Sequence, residues 1–249
     1  MKASAIEYRL RVVIILAVVA LGFWAPWIVI WGPWLGIARR ISLLGWLAQE
    51  LSRSGLLPFP LAVRAVIAVA VLLAAKGVVL RIWGTAYLGA FTVNHARMKA
   101  GAVLADGPYR FVRNPLYLGT WCMVAAMAFV MPASGALFTM VLLTLFQVRL
   151  ILAEEAFLTV QLNGAYRAYL HTVPRLLPHL RTPMPSTGQE PRWGQAVLAE
   201  INPIGVFLIL ACLSWKFDNE LMVRAILVSF GVSLVVRALF VGNATEGAN

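Results

Sequence analysis

The sequence predicts an all-α fold, a polytopic membrane helix bundle with five or six transmembrane helices. Of the 249 residues, 61% are hydrophobic and only 12% are charged, against roughly 25% charged in a typical soluble domain. The mean hydropathy is +0.82, and long apolar runs recur along the chain. We therefore expect one integral-membrane domain, with N-terminal spans and an interfacial helix in 1–83, a central part in 84–180, and a linker and C-terminal spans in 181–249.

The apolar runs place the expected helices along the chain. Spans are predicted at 10–31, 61–83, 116–130, 136–153, 203–215 and 221–240. The fifth run is short, so it could be tilted, partly re-entrant, or extended by residues 200–202. Amphipathic spacing predicts an interfacial helix within 35–60, ended by Pro58 and Pro60, and a short helix at 193–201. Residues 154 to about 170 are also helical in pattern.

The third and fourth spans should form an antiparallel hairpin, because only the tight turn at 132–135 separates them. The polar stretch 106–119 precedes this hairpin, and Glu154 and Glu155 follow it. These two regions must then lie on the same side of the membrane. Asn114 followed by Pro115 is typical of a helix start, since Asn caps free N–H groups and Pro tolerates the first helical position.

The net charge of +11 results from 21 Lys and Arg against 10 Asp and Glu. These basic residues flank apolar runs, so we attribute them to membrane orientation and to anionic headgroups. Membrane lipids are expected partners, and nucleic acid is not. The positive-inside rule puts the N-terminus, residues 84–115, residues 154–202 and the C-terminus in the cytoplasm.

Ionisable residues around the hairpin are the candidates for chemistry. Arg110 and Arg113 lie beside a helix N-terminus, whose partial positive charge suits an anion; alternatively they face lipid phosphates. Glu154 and Glu155 are predicted to end a helix, where carboxylates are disfavoured, so they call for a cationic or hydroxyl-rich partner unless water solvates them. Arg149 lies about 7 Å deeper, as a functional residue or a snorkelling one.

Several other classes of site find no support. The three histidines are scattered, so no metal is expected. Cys122 and Cys212 lie far apart in apolar runs and predict no disulfide. Neither a P-loop nor a Rossmann motif occurs. A ligand with one anionic and one cationic end would explain the charges, and both S-adenosylmethionine and a zwitterionic phospholipid headgroup fit that description.

Three blocks of sequence around the hairpin resemble the integral-membrane methyltransferases, which include isoprenylcysteine carboxyl methyltransferases and phospholipid N-methyltransferases. The resemblance covers about residues 80–180. The blocks are Gly107-Pro108-Tyr109-Arg110-x-x-Arg113-Asn114-Pro115-x-Tyr117-x-Gly119, then Glu154-Glu155, then Gly164-x-Tyr166-x-x-Tyr169-x-x-x-Val173-Pro174-Arg175. The chain departs from the family pattern at Asn114, where carboxyl methyltransferases usually have His. It also has Asn163-Gly164 where Phe-Gly is usual, and one residue between Gly164 and Tyr166 where the family usually has two.

The resemblance implies that 84–180 is a methyltransferase core that binds S-adenosyl-L-methionine on the cytoplasmic side, beside the hairpin. A lipophilic methyl acceptor would reach it from the bilayer of a bacterial inner membrane. The implied cofactor-binding residues are Gly107, Tyr109, Arg113, Asn114, Pro115, Tyr117, Glu154, Glu155, Tyr166 and Tyr169.

Three of these ionisable residues are predicted to be catalytic. Arg149 or Arg113 would orient a carboxylate acceptor, such as a prenylcysteine, and Glu154 would take a proton from an amine acceptor, such as an aminophospholipid. A lipid-binding protein or membrane scaffold without catalytic activity is the alternative from a different class.

Overall fold

A computed structural model describes residues 2–24, 41–89, 105–179, 185–213, 216 and 218–236. These residues form nine α-helices and a short 3-10 helix but no strand, which confirms the all-α prediction. The helices are α1 Ala5–Arg9, α2 Arg11–Trp24, α3 Leu43–Arg53, α4 Phe59–Leu88, the 3-10 helix Gly107–Arg110, α5 Pro115–Ala128, α6 Ala133–Thr172, α7 Trp193–Ala199, α8 Ile201–Leu213 and α9 Asn219–Val236.

Two helices of the described part are long and apolar enough to cross a membrane, α4 and α6. The sharply bent pair α7 and α8 would make a third if it is one span. The predicted count of five or six spans is therefore not confirmed. Side chains such as Leu72 and Leu137, each 68% exposed, project from the two long helices. Such apolar exposure suits contact with lipid tails.

Most helix starts agree with the sequence signals, but two predicted helix ends are wrong. Helix α3 ends at Arg53, and Pro60 lies in the first turn of α4, where its missing N–H costs nothing. The prolines therefore begin the next helix rather than end the previous one. Residues 25–40, which include the end of the predicted first span, and the basic loop 94–99 lie outside the described residues.

Helix α6 does not end at Glu154 and Glu155, as the sequence predicted, but continues to Thr172, so the helical pattern predicted up to about Leu170 belongs to the same helix. No Gly or Pro follows the pair until Gly164. An apolar face continues on the helix and packs in a core of Ala105, Leu158, Leu162, Tyr166, Tyr169, Leu170 and Val173. The helix breaks instead at Asn163, which has φ 43° and ψ −120°. Asn tolerates positive φ better than most residues, so it suits this position.

The chain divides into two compact units. The first consists of Met1–Ile14, Val79–Thr120 and Thr144–Ile201, and it contains all the candidate site residues. The second consists of Ile15–Val78, Trp121–Leu143 and Asn202–Asn249. Within the second unit, α2 and α6 meet at two glycines: a Cβ on Gly135 would lie 1.9 Å from the carbonyl oxygen of Gly22. Such close backbone approach through small residues is typical of membrane helices.

Candidate functional site

Glu155 is the centre of the candidate site. Its carboxylate accepts hydrogen bonds from Arg113 at 2.9 Å and from Arg175 at 2.7 Å. The side chains of Glu155 and Arg113 are nearly buried, and that of Arg175 is 44% exposed. Each of the three residues comes from a different sequence block. The structure therefore brings the three blocks together at one cluster, in which two arginines contact one glutamate.

Backbone contacts fix the first and last blocks against each other. The Arg113 N–H donates to the Pro174 carbonyl at 2.9 Å, and the Asn114 amide donates to the Arg175 carbonyl at 3.1 Å. Pro115 is buried and begins α5, as predicted. Asn114 thus precedes a helix and also holds the backbone of an arginine that pairs with Glu155. The second contact could not be predicted from the helix-start signal.

Glu154 lies beside this cluster but has a different partner. Its carboxylate accepts a hydrogen bond from the Tyr117 hydroxyl at 3.1 Å. Tyr117 is in the first turn of α5, so the hairpin does bring the first block to the glutamate pair. Neighbouring carboxylates of one helix therefore have separate environments: Glu155 is neutralised by arginines, while Glu154 is paired with a neutral hydroxyl.

Tyr109 lies in the 3-10 helix and is only 8% exposed. Its carbonyl accepts a hydrogen bond from the Tyr169 hydroxyl at 2.8 Å, and Tyr166 packs on Tyr169 with ring centroids 5.8 Å apart. The Tyr109 hydroxyl has no hydrogen-bond partner among the residues that the structure describes. Burial, and then the negative charge of Glu154, raise the pKa of Tyr109 well above its ordinary value. The hydroxyl is therefore protonated and available to a ligand.

Gly107 adopts a conformation that only glycine takes easily, with φ +53°. A Cβ there would lie 2.3 Å from the ring of Tyr87, so the position has no room for a side chain. The glycine therefore lets the 3-10 helix that carries Tyr109 pack on the end of α4.

Substituting Gly107 should separate this packing from backbone strain. We expect Gly107→Ala to lower the free energy of unfolding by roughly 2 kcal/mol, because the new methyl group adds overpacking to strain. The matched control is Gly188→Ala, which has φ +78° but nothing within 4 Å of its Cβ, so only about 1 kcal/mol of strain is expected. Chemical denaturation in detergent compares the two. Equal losses would contradict the role of Tyr87.

Asp106 fixes the linker that follows the last block. Its carboxylate accepts hydrogen bonds from the hydroxyls of Ser186 and Thr187 and from the Thr187 N–H at 2.9 Å. The Gln189 side chain donates to the Tyr87 carbonyl at 2.8 Å. A segment predicted only as a linker is therefore attached to the candidate site. The predicted linker residues up to 184 lie outside the described part.

The pH dependence of stability should report this attachment. Burial raises the pKa of Asp106, but the hydrogen bonds from Ser186, Thr187 and Gln189 outweigh it and lower the pKa below its ordinary value. Asp106 therefore contributes stability above about pH 4, and the contribution is lost as the pH falls through the folded-state pKa. Unfolding between pH 3 and 6 should depend more steeply on pH in the wild type than in Asp106→Asn. Identical profiles would contradict the assignment.

Arg149 lies apart from the Glu155 cluster. Its guanidinium donates to both carboxylate oxygens of Glu7, at 2.8 and 2.9 Å. The prediction that Arg149 does not simply pair with Glu154 agrees with this partner, but the sequence did not indicate Glu7. The contacts of Arg149 therefore do not support its predicted role of orienting an acceptor.

Sequence reasoning missed a buried ion pair between Arg81 and Glu200. Arg81 donates to the Glu200 carboxylate at 2.6 and 3.0 Å and to the Thr120 hydroxyl at 2.6 Å, and the Thr85 hydroxyl donates to Glu200 at 2.7 Å. Glu200 is fully buried. The sequence did contain a signal for this pair: both residues are ionisable and adjoin apolar runs, where such residues need partners.

The described part of the chain contains no cluster of side chains that could hold a metal ion. No three His, Cys, Asp or Glu side chains come together within those residues. The expected absence of a metal stays a prediction.

Comparison with known families decides which chemistry this cluster resembles. Residues 65–163 match the model of the phospholipid methyltransferase family. The match confirms the resemblance to membrane methyltransferases of this type and indicates a methyltransferase that acts on lipid. Neither the curated proteins nor the solved structures that were searched contain a match.

The phospholipid methyltransferase match covers two of the three blocks, from Gly107 to Gly119 and the pair Glu154 and Glu155. It ends at Asn163, the residue at which α6 breaks. The block with Tyr166, Tyr169 and Arg175 lies beyond it, although Arg175 contacts Glu155. The match therefore supports the first two blocks directly, while the contacts alone connect the third block to them.

Proposed function

We propose that the protein transfers a methyl group from S-adenosylmethionine to a lipophilic acceptor at the cytoplasmic face of the membrane. The observation that carries this proposal is the Arg113–Glu155 contact. It joins the two blocks that lie within the phospholipid methyltransferase match. Arg175 adds the third block to the same carboxylate, so one cluster contains all three parts of the resemblance.

The residues present fit the cofactor. Arg113 and Arg175 carry two positive charges against one on Glu155, which suits the carboxylate of the cofactor's amino-acid part. Glu154, whose carboxylate contacts the Tyr117 hydroxyl, suits an ammonium group or ribose hydroxyls. The buried hydroxyl of Tyr109 suits a further polar atom. Gly107, Asn114, Pro115, Tyr117, Tyr166 and Tyr169 would position these groups.

When bound, S-adenosylmethionine supplies a methyl group that its sulfonium makes reactive. The protein's own contribution is to hold the acceptor in line with that methyl group. Glu154 would take the proton that an amine acceptor releases, and Arg113 would orient a carboxylate acceptor. Glu155 would hold Arg113 and Arg175 in place. Arg149 was predicted as a second orienting residue, but its guanidinium pairs with Glu7.

Binding of the cofactor is tested by thermal unfolding of the purified protein in detergent. S-adenosylmethionine at 100 times its dissociation constant should stabilise the protein by about 2.7 kcal/mol. Methionine together with adenosine, as the control, should give no comparable shift. A lipid-binding protein or scaffold without catalytic activity predicts no stabilisation by S-adenosylmethionine, and that result would overturn the proposal.

The acceptor is either an aminophospholipid or a prenylcysteine-like carboxylate, and the family match favours the phospholipid. Membranes containing the protein should incorporate label from methyl-labelled S-adenosylmethionine into a lipid fraction. Label in a methylamine resists mild base, whereas label in a methyl ester is released. A base-labile product would therefore contradict the aminophospholipid, and a base-stable one would contradict the carboxylate.

The proposal includes the topology predicted from the charges: five or six spans in a bacterial inner membrane, with the N-terminus in the cytoplasm. Single cysteines introduced at exposed Gly188 and Gly55, in a variant with Cys122 and Cys212 replaced by Ala, test it. A membrane-impermeant thiol reagent should label position 55 in intact cells and position 188 only after lysis. The reverse pattern would invert the proposed orientation.

A further inference from the structure

The contact between Arg175 and Glu155 requires helix α6 to turn back on itself. The two residues are 20 apart in sequence, yet the Arg175 guanidinium donates to the Glu155 carboxylate at 2.7 Å. A straight helix would carry Thr172 about 25 Å from Glu155, at 1.5 Å per residue. Residues 173–175 could return only about 10 Å of this distance, even when fully extended. The gap that remains, about 15 Å, exceeds the combined reach of the two side chains.

Asn163 is the residue at which the chain turns. It has φ 43° and ψ −120° inside α6. These angles lie close to those of the first central residue of a type II′ turn, the mirror image of a type II turn. Residues 155–162 then lead away from the Glu155 cluster by about 12 Å, and residues 164–172 lead back by about the same length. The buried core agrees with such a hairpin, because it combines side chains from before and after the turn: Leu158 and Leu162, then Tyr166 and Tyr169.

The returning half of α6 carries the groups that reach the candidate site. The Tyr169 hydroxyl donates to the Tyr109 carbonyl at 2.8 Å, and Arg175 follows the end of the helix. Glu155, the partner of Arg175, belongs to the outgoing half. The direction of the chain at Asn163 therefore decides whether these groups meet. Asn163 itself is exposed, so its backbone is better suited to this role than its side chain.

We propose that Asn163 is a positioning residue of the cofactor site: its backbone conformation turns the second half of α6 back, so that Arg175 reaches Glu155. This inference rests on the proposed function, in which Arg113 and Arg175 bind the carboxylate of S-adenosylmethionine. Glycine adopts a positive φ without strain, whereas a residue with a Cβ is strained there. Affinity for S-adenosylmethionine should therefore follow the conformation that residue 163 allows, and not the amide group of Asn163.

The first test compares Asn163→Gly with Asn163→Ala by calorimetric titration of the purified protein in detergent with S-adenosylmethionine. Asn163→Ala should raise the Kd at least fivefold, because the methyl group disfavours the turn and the charged contacts of Arg175 are lost with it. Asn163→Gly should keep the Kd within about twofold, because glycine retains the turn. Asn163→Ser, a second polar substitution, takes the place of Asn163→Ala if that variant does not remain folded.

The matched control is Gly55→Ala. It also places a methyl group at a positive φ, +73°, and nothing lies within 4 Å of the new Cβ. Gly55 belongs to the second compact unit, whereas the candidate site belongs to the first. Gly55→Ala should therefore lower the unfolding temperature but keep the Kd within about twofold.

The second test asks whether Asn163 acts through Arg175. In a double-mutant cycle, Asn163→Ala should raise the Kd by less than about twofold when Arg175→Gln is already present, because the contact that the turn positions has been removed. A merely structural role of Asn163 predicts instead that Asn163→Ala raises the Kd by the same factor in both backgrounds.

The outcomes separate this inference from the proposed function. If the wild type binds S-adenosylmethionine but the Gly and Ala variants of Asn163 bind it equally well or equally poorly, the inference is overturned and the function stands. An equal loss of affinity in Gly55→Ala, or an equal factor in both backgrounds of the cycle, also overturns the inference alone. If the wild type does not bind S-adenosylmethionine, both are overturned.

Discussion

Glu155→Gln is expected to lower the free energy of unfolding by about 3 kcal/mol and to weaken binding of S-adenosylmethionine at least tenfold. The substitution keeps the shape of the side chain but removes the only negative charge that Arg113 and Arg175 contact in the cluster. Arg113 is nearly buried, so its charge would be left without compensation, whereas half-exposed Arg175 can turn to water. We therefore place the loss at the lower end of the range for broken buried ion pairs.

The neighbouring Glu154→Gln is the matched control for stability. Its side chain still accepts the hydrogen bond from Tyr117, so the free energy of unfolding should change by less than 1 kcal/mol. Turnover should nevertheless fall if the acceptor is an amine, because a carboxamide cannot take the proton. Denaturation and turnover are measured on both variants. Equal stability losses for the two glutamines would contradict the assignment of Glu155 as the centre of the cluster.

The sequence predicted the parts of the fold that depend on local signals. The apolar run from Leu61 and the helix start at Asn114-Pro115 correspond to α4 and α5. The short turn at 132–135 correctly brought the stretch before the hairpin to Glu154 and Glu155. These predictions succeeded because helix starts and tight turns are determined by a few adjacent residues.

The contacts that define the site depend on residues far apart in sequence, and a single sequence does not reveal which distant ions pair. Glu155 was predicted to bind a ligand, yet its contacts are Arg113 and Arg175. Arg149 was predicted to act on an acceptor, yet it contacts Glu7, 142 residues away. The helical pattern up to about Leu170 was predicted, but the helix end at the glutamates was wrong. The polar pair suggested an end, while the buried face around Tyr166 continues the helix.

Glu200→Gln is expected to have the largest effect on stability, roughly 3–5 kcal/mol. Glu200 is fully buried and accepts two hydrogen bonds from Arg81 and one from Thr85. A carboxamide has only one oxygen, and its NH₂ group would face an N–H donor of Arg81. The Arg81 side chain is 17% exposed, so water cannot easily replace the lost oxygen. Glu190→Gln, at an exposed position ten residues earlier, should change the free energy of unfolding by less than 0.5 kcal/mol.

A double-mutant cycle distinguishes the ion pair from simple packing at this position. Glu200→Met alone leaves the Arg81 charge buried, and Arg81→Met alone leaves the Glu200 charge buried. Removing both leaves no uncompensated charge, so the double variant should be more stable than either single variant. The interaction energy between the two positions should then exceed 1 kcal/mol. Additive losses would mean that each side chain contributes by filling space, and that α7 is held to α4 by packing rather than by the Arg81–Glu200 charges.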